Sequence, residues 1–198
     1  MPVSPFGFRA VRHLTGRNDW RTETFLVDDN NPKPIFIGHA VILSSGRVVE
    51  HTSTGNGPIL GVVKACYTGT KNRPRTFSLP DAGPYVPAST RSYVEVIVDP
   101  DVIYEVVANS GLGNDDFGQL GEVVATGSGN PKTGQSRMEM STTTFAAQTS
   151  VNNQTLPFRI IGLAKSEEIA GGSGYGSDEP AKIEVVINNH VYRQVTPV

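Results

Sequence analysis

Hydrophobic and polar residues alternate with a period of two along much of this chain, most clearly between Arg91 and Ala108. Val94, Val96 and Val98 fall on one side of the chain, and the residues between them fall on the other. This spacing, in β-branched and aromatic residues, is typical of a strand with one wholly apolar face. Glu95 interrupts the opposite side, and we therefore expect it to face solvent or a partner.

The alternation stops at Asp99-Pro100-Asp101 and resumes over Val102–Ala108. Pro100 has no N–H to donate to a neighbouring strand, and an aspartate before a proline is typical of a turn. The pattern therefore predicts two strands that meet at a corner, either as a hairpin or as one strand bent between two sheets. Glu105 interrupts the second strand, and we expect it also to face solvent or a partner.

Shorter stretches of the same kind bring the predicted total to roughly ten short strands. The other predicted strands are Thr22–Val27, Ile35–Leu43, Arg47–Glu50, Ile59–Tyr67, Glu122–Thr126, Arg137–Phe145, Leu156–Leu163 and Lys182–Tyr192. Strands at this spacing, separated by glycine and proline turns, are typical of sandwiches and barrels. The sequence therefore predicts an all-β fold, as an antiparallel β-sandwich or a small β-barrel.

Two segments depart from the pattern. Residues 1–20 contain proline and glycine breakers together with aromatic residues, which predicts an extended N-terminal arm that packs either on its own domain or on a neighbour. Residues 21–198 are predicted to form a single β domain with a long loop at 68–90. Because Tyr85 and Val86 are apolar, we expect this loop to be ordered and to lie on a surface.

Composition narrows the function classes. Among 198 residues, 18% are charged and the net charge is −2, so no general positive field would attract nucleic acid. No apolar run approaches the ~18 residues of a membrane span, and no signal pattern begins the chain, so we expect synthesis in a cytoplasm and no membrane partner. Cys66 is the single cysteine, which excludes an internal disulfide, and we expect it in the core.

No motif for catalysis or cofactor binding stands out. Gly127–Thr133 is close to a phosphate loop, but Pro131 occupies a position that needs glycine. His39 lies in a strand-like run and is expected to be a hydrogen-bonded structural residue. Oxygen ligands for calcium occur in Asn114-Asp115-Asp116 and at the corner, although turn chemistry accounts for them equally well. The sequence therefore predicts no catalytic residue, no cofactor, no metal and no enzyme.

Five stretches together resemble a family of tailed-bacteriophage structural proteins, the capsid decoration or cement proteins. They are Pro5–Leu14, Ile59–Val63, Val98–Val106, Leu156–Leu163 and Lys182–His190, and they span nearly the whole chain. The resemblance implies a virion protein, made in the host cytoplasm, that binds the outer surface of the capsid and clamps adjacent major capsid protein subunits. It also implies a homo-oligomer, with a trimer favoured over a dimer, and it carries no catalytic motif.

Residues of the N-terminal segment are the candidate capsid contacts: Phe6, Phe8, Arg9, Val11, Arg12 and Leu14. Buried aromatic anchors contribute more to binding than exposed charges, so Phe6 and Phe8 are expected to dominate. Two alternatives remain open. The chain is compatible with a carbohydrate- or receptor-binding β-sandwich module on the virion surface, in which Trp20 and the tyrosines stack on sugars. It is also compatible with a β-sandwich glycan hydrolase, whose paired carboxylates come from distant strands.

Overall fold

The computed structural model describes residues 4–17, 19–52, 57–68, 75–76, 84–124, 129–142, 156–165 and 180–193. Fifteen strands lie within these ranges, together with a 3₁₀ turn at Asn114–Asp116. The predicted all-β, antiparallel fold is confirmed. Among the described residues, no helix is both long enough and apolar enough to span a membrane.

In chain order, the strands are β1 Arg9–His13, β2 Thr22–Leu26, β3 Ala40–Ser44, β4 Arg47–Glu50, β5 Gly61–Thr68, β6 Arg75–Thr76, β7 Tyr93–Ile97, β8 Val102–Val107, β9 Leu120–Gly121, β10 Val123–Val124, β11 Gly129–Asn130, β12 Gln135–Ser136, β13 Glu139–Met140, β14 Phe158–Leu163 and β15 Lys182–Ile187. They outnumber the ten predicted because several are two-residue ladders, which are too short to show a hydrophobic period. β6 lies inside the predicted loop at 68–90, where it pairs with β5.

Two antiparallel sheets account for most of the fold. The first sheet has five strands in the order β1-β8-β15-β14-β9. The second has six, in the order β2-β7-β5-β3-β4, with β6 paired to β5. The second sheet curls, so that Val27, which follows β2, makes a parallel bridge to Val48 of β4.

The inner faces of the two sheets enclose the main hydrophobic core. Tyr104 of β8 and Ile183 and Val185 of β15 point into this core and are fully buried, and Ile97 of β7 meets them from the second sheet. Each such aliphatic side chain contributes ~1.5–3 kcal/mol when it leaves water. Of the two predicted architectures, the arrangement is compatible with the β-sandwich.

A second core lies on the other face of the six-stranded sheet. Val94, Val96 and Val98 belong to it and are fully buried, which confirms the predicted all-valine face. Ile35 and Val86 cover this face and exchange two backbone hydrogen bonds of 2.8 Å each. The predicted loop is therefore ordered where its last residues are described, from 84 to 90, and residues 69–74 and 77–83 lie outside the described part.

The corner at residues 99–101 carries the chain from one sheet to the other. β7 belongs to the six-stranded sheet and β8 to the five-stranded sheet. The bent-strand alternative is therefore correct and the hairpin alternative is wrong.

Some predicted boundaries differ for local reasons. The strand predicted from Ile35 begins only at Ala40, because Gly38 takes a left-handed conformation (φ 87°) that interrupts the extended chain. The last strand ends at Ile187 rather than Tyr192. The strand predicted at 137–145 is described only as Glu139–Met140, and residues 143–145 lie outside the described part.

Candidate interaction surface

β1 is the edge strand of the five-stranded sheet. It runs antiparallel to β8, with Ala10 opposite Tyr104 and a bulge between Ala10 and Arg12. Residues 9–13 of the predicted extended arm form this regular strand, and Pro5 and Gly7 precede it. Gly7 takes a left-handed conformation (φ 74°), which redirects the chain before the strand begins. This part of the arm therefore packs on its own domain.

Phe8, one of the two predicted aromatic anchors, lies in the core of its own domain and is 3% exposed. Its ring stacks on Phe158, with ring centroids 4.5 Å apart, and meets Tyr104 edge to face at 6.4 Å. Its place in the core leaves no apolar surface for a partner, so its assignment as a capsid contact is corrected here. Phe6 is half-buried, and the Arg9 guanidinium lies 5.2 Å from the centre of its ring.

Two arginines of β1 neutralise a pair of buried glutamates. Glu105 of β8 and Glu184 of β15 lie directly opposite each other in the sheet, where two like charges repel. Arg9 Nη2 donates to Glu105 Oε2 at 2.9 Å, and Arg12 Nε donates to Glu184 Oε2 at 3.2 Å. Glu105 is therefore buried and paired, and the expectation that it faces solvent or a partner is wrong for this residue. The predicted arginine contacts already hold β1 to its sheet.

The remaining predicted contacts, Val11 and Leu14, are exposed. Val11 is 37% exposed, and Leu14, in the turn after β1, is 53% exposed. Leu14 borders a shallow cleft of about 280 Å³ whose other walls include Val186 of β15 and Arg159 of β14. We define the β1 surface as the exposed parts of Val11, Arg12, Leu14, Arg159 and Val186. It combines exposed aliphatic groups with two guanidinium groups.

Sequence reasoning missed Arg159 and Val186 as neighbours of Leu14. They lie opposite each other in the β14–β15 pairing, and only Arg159, which lies between the apolar Phe158 and Ile160, marks an outward face in the sequence. No signal in the sequence places that face beside the N-terminal turn, because this needs the sheet order.

The corner between the sheets holds the one group of potential metal ligands found among the described residues: His13, Asp99 and Asp101. The backbone N–H of Thr15 donates to His13 Nδ1 at 3.1 Å, so Nε2 carries the ring proton and faces Asp99 Oδ2 at 3.2 Å. Arg193 Nη1 donates a hydrogen bond to Asp101 Oδ1 at 2.7 Å. These hydrogen bonds account for the close approach of the three side chains, which hold the corner in place.

A second polar cluster is buried inside the second sheet. His39 Nδ1 lies 3.7 Å from Glu50 Oε1, which is too far for a hydrogen bond, and neither side chain has another hydrogen-bond partner among the described residues. Burial lowers the pKa of His39 to about 3 and raises the pKa of Glu50 to about 7. His39 is thus a structural residue, but the expectation that it is hydrogen-bonded is not met.

Because burial raises the pKa of Glu50, we expect Glu50→Gln to stabilise the protein at alkaline pH. The stabilising effect of the protonated carboxyl is fully present below pH 4.5 and is lost as the pH rises through about 7. Glutamine keeps the shape and cannot ionise, so its advantage over the parent should reach a few kcal/mol above pH 8 and vanish near pH 4. Urea unfolding of both proteins from pH 4 to pH 9 measures this difference, and parallel curves would contradict the assignment.

Cys66 lies in the second core, as predicted. Burial raises the pKa of its thiol to about 12, so it is not a thiolate at neutral pH. His51 is also buried, with Nε2 2.8 Å from Glu122 Oε1. The side chains of Cys66 and His51 are thus both buried.

A separate cleft of about 230 Å³ opens between the N-terminal segment and the second sheet. Its apolar walls include Phe6, Trp20, Ile37, Val62 and Ile97. The polar side chains that border it are Arg9, Lys64 and Gln135. Sequence reasoning singled out Trp20 as a stacking residue, but it did not find Lys64 or Gln135, which come from β5 and β12.

Comparison of the chain with models of protein families, with curated proteins and with solved structures finds no match in any of the three.

Proposed function

We propose that the protein is a structural virion component that binds the outside of a bacteriophage capsid and clamps adjacent major capsid protein subunits. The observation that carries the proposal is the β1 surface, where the exposed side chain of Val11 lies on an ion-paired edge strand and that of Leu14 lies in the turn after it. Contact groups that are already ordered lose less conformational entropy on binding, so the free-energy cost of binding is smaller.

The capsid partner that fits this surface presents an aliphatic or aromatic group flanked by carboxylates. Leu14 supplies apolar contact area, and the guanidinium group of Arg159 supplies donors that pair with carboxylates. A single patch of this size is a weak site. A homo-oligomer, with a trimer favoured over a dimer, would present several such patches at once, which raises avidity ~10²–10⁴-fold.

A net charge of −2 gives no support to a nucleic-acid partner. Of the described ionisable groups in the core, His51 pairs with Glu122, whereas His39 and Glu50 lie 3.7 Å apart without a hydrogen bond. The proposal assigns none of these groups a catalytic role. On this proposal, the protein is made in the host cytoplasm and resides on the outer surface of the virion.

The test of this proposal uses the double variant Val11→Ser with Leu14→Ser on undecorated heads. Burial of one leucine contributes ~1.5–3 kcal/mol, so we expect the apparent affinity per site to fall about tenfold to a hundredfold. Occupancy is measured by sedimentation of heads mixed with increasing protein, and melting temperature is measured in parallel. Since both side chains are exposed, the fold should be unaffected.

The matched control is Tyr192→Ser. Tyr192 is about as exposed as Leu14, but its ring lies beside Arg21 near β2 rather than on the β1 surface. The control should decorate heads normally. Full occupancy by the double variant at the parent's concentration would exclude the β1 surface as the contact. Failure of the parent itself to bind any head would overturn the proposed function.

A further inference from the structure

The cleft between the N-terminal segment and the second sheet has the size of one ring. Its volume is about 230 Å³, which is larger than the ~150 Å³ cavity that holds benzene. It is smaller than the ~300–1,000 Å³ of sites for drug-sized molecules. A single six-membered ring with its substituents therefore fits, and an extended ligand would have to leave the cleft.

The charges around the cleft are neutralised in pairs. Lys64 Nζ donates to Glu95 Oε1 at 2.9 Å, and Arg9 Nη2 donates to Glu105 Oε2 at the same distance. An ion therefore gains little here, because it would compete with a partner already present. A neutral polar ligand does not need to break either pair.

Two donors around the cleft remain uncommitted. Neither the indole N–H of Trp20 nor the side-chain amide of Gln135 makes a hydrogen bond to another described residue. The aromatic rings of Trp20 and Phe6 supply apolar surface beside them. The cleft thus pairs flat apolar surface with groups that donate and accept hydrogen bonds.

We propose that this cleft binds one neutral sugar ring, a hexopyranose at the end of a glycan. The C–H face of the ring packs on the aromatic walls, and its hydroxyls bond to the Gln135 amide and to the Lys64–Glu95 pair. A phenylalanine side chain from a protein partner would fill the same volume but would cover the amide with carbon, which carries a desolvation penalty. This inference does not depend on capsid binding, and it is tested on the isolated protein.

Trp20 is the only tryptophan in the chain, so its fluorescence reports directly on the cleft. The full-length protein is titrated with methyl glycosides of glucose, galactose, mannose and N-acetylglucosamine. We expect a saturable change in fluorescence with at least one of these glycosides, with a Kd of about 1 mM. Gln135→Ala should weaken binding about threefold to tenfold, as expected for one hydrogen bond. Lys132→Ala, an exposed change in the same β11–β12 hairpin outside the cleft, should leave it unchanged.

Three results would overturn the proposal. The first is the absence of a saturable fluorescence change with any glycoside at concentrations up to about tenfold above the expected Kd. The second is binding that neither Gln135→Ala nor Trp20→Phe weakens. Binding to the Trp20→Phe variant, which has lost the fluorescent residue, is measured by ligand-observed NMR. The third is a stronger response to N-acetylphenylalanine amide than to every glycoside, which would assign the cleft to an aromatic side chain of a protein partner.

Discussion

Val96→Asp is expected to unfold the protein, whereas Glu95→Ala is expected to leave it folded. Val96 is fully buried in the second core, among Val94, Val98 and Leu60. None of the described residues that form this core is a cation with which a carboxylate could pair, and an unpaired buried charge costs several kcal/mol or forces protonation. Domains of this kind have only ~5–15 kcal/mol of stability in total, so most of it would be lost.

Glu95 is the neighbouring residue on the opposite face of β7. It is half-buried, with Lys64 at 2.9 Å and a hydrogen bond from the Tyr67 hydroxyl. Because this pair is open to solvent, its loss should cost ~0–1 kcal/mol. Urea unfolding and soluble yield measure both variants, with Val96→Thr as a control for polarity without charge. Equal urea midpoints for Val96→Asp and Glu95→Ala would show that the two faces of β7 are assigned wrongly.

Replacing Arg9 and Arg12 by methionine is expected to destabilise the protein by about 2–4 kcal/mol. The two changes leave Glu105 and Glu184 opposite each other in the sheet without a cation. Breaking a fully buried ion pair costs ~3–5 kcal/mol. The expected loss is at or below that range, because the Arg9 side chain is 64% exposed and solvent screens its charge.

Rescue distinguishes charge from packing in this experiment. Adding Glu105→Gln and Glu184→Gln to the double methionine variant removes the facing carboxylates, and we expect it to recover most of the lost free energy of unfolding. The measurement is chemical denaturation of the parent, the double and the quadruple variant. If the quadruple variant is no more stable than the double variant, the arginines act through packing alone and the electrostatic account of β1 is wrong.

The all-valine face of β7 was predictable because a buried strand carries its apolar period in its own residues. β1 was not, since its inward positions are Ala10 and His13, which give no apolar signal. Its partners Glu105 and Glu184 lie 96 and 172 positions away from the arginines that bind them. Contacts over such distances depend on the order of strands in the sheet, which no local pattern contains.

The candidate contacts show the same division. Phe6 and Phe8 are the same residue type two positions apart, yet Phe6 is half-buried whereas Phe8 is 3% exposed, with its ring stacked in the core. The left-handed Gly7 between them breaks the alternation that would otherwise place both on one face. Val11 and Leu14 are exposed because the bulge and the turn after β1 lift them away from the sheet. Whether they contact a capsid stays a prediction.

The place of β8 between β1 and β15 has a consequence for the order of events during synthesis. β8 is bounded on one side by a strand made at the start of the chain and on the other by a strand that ends at Ile187. Until Lys182–Ile187 has left the ribosome, Glu105 lacks its opposite strand and Ile103 and Val107 lack one neighbour. The five-stranded sheet therefore closes late and through long-range contacts, which makes folding slow relative to helical domains. A nascent chain that stops before residue 182 would expose the apolar face of β8 and be a substrate for chaperones and proteases.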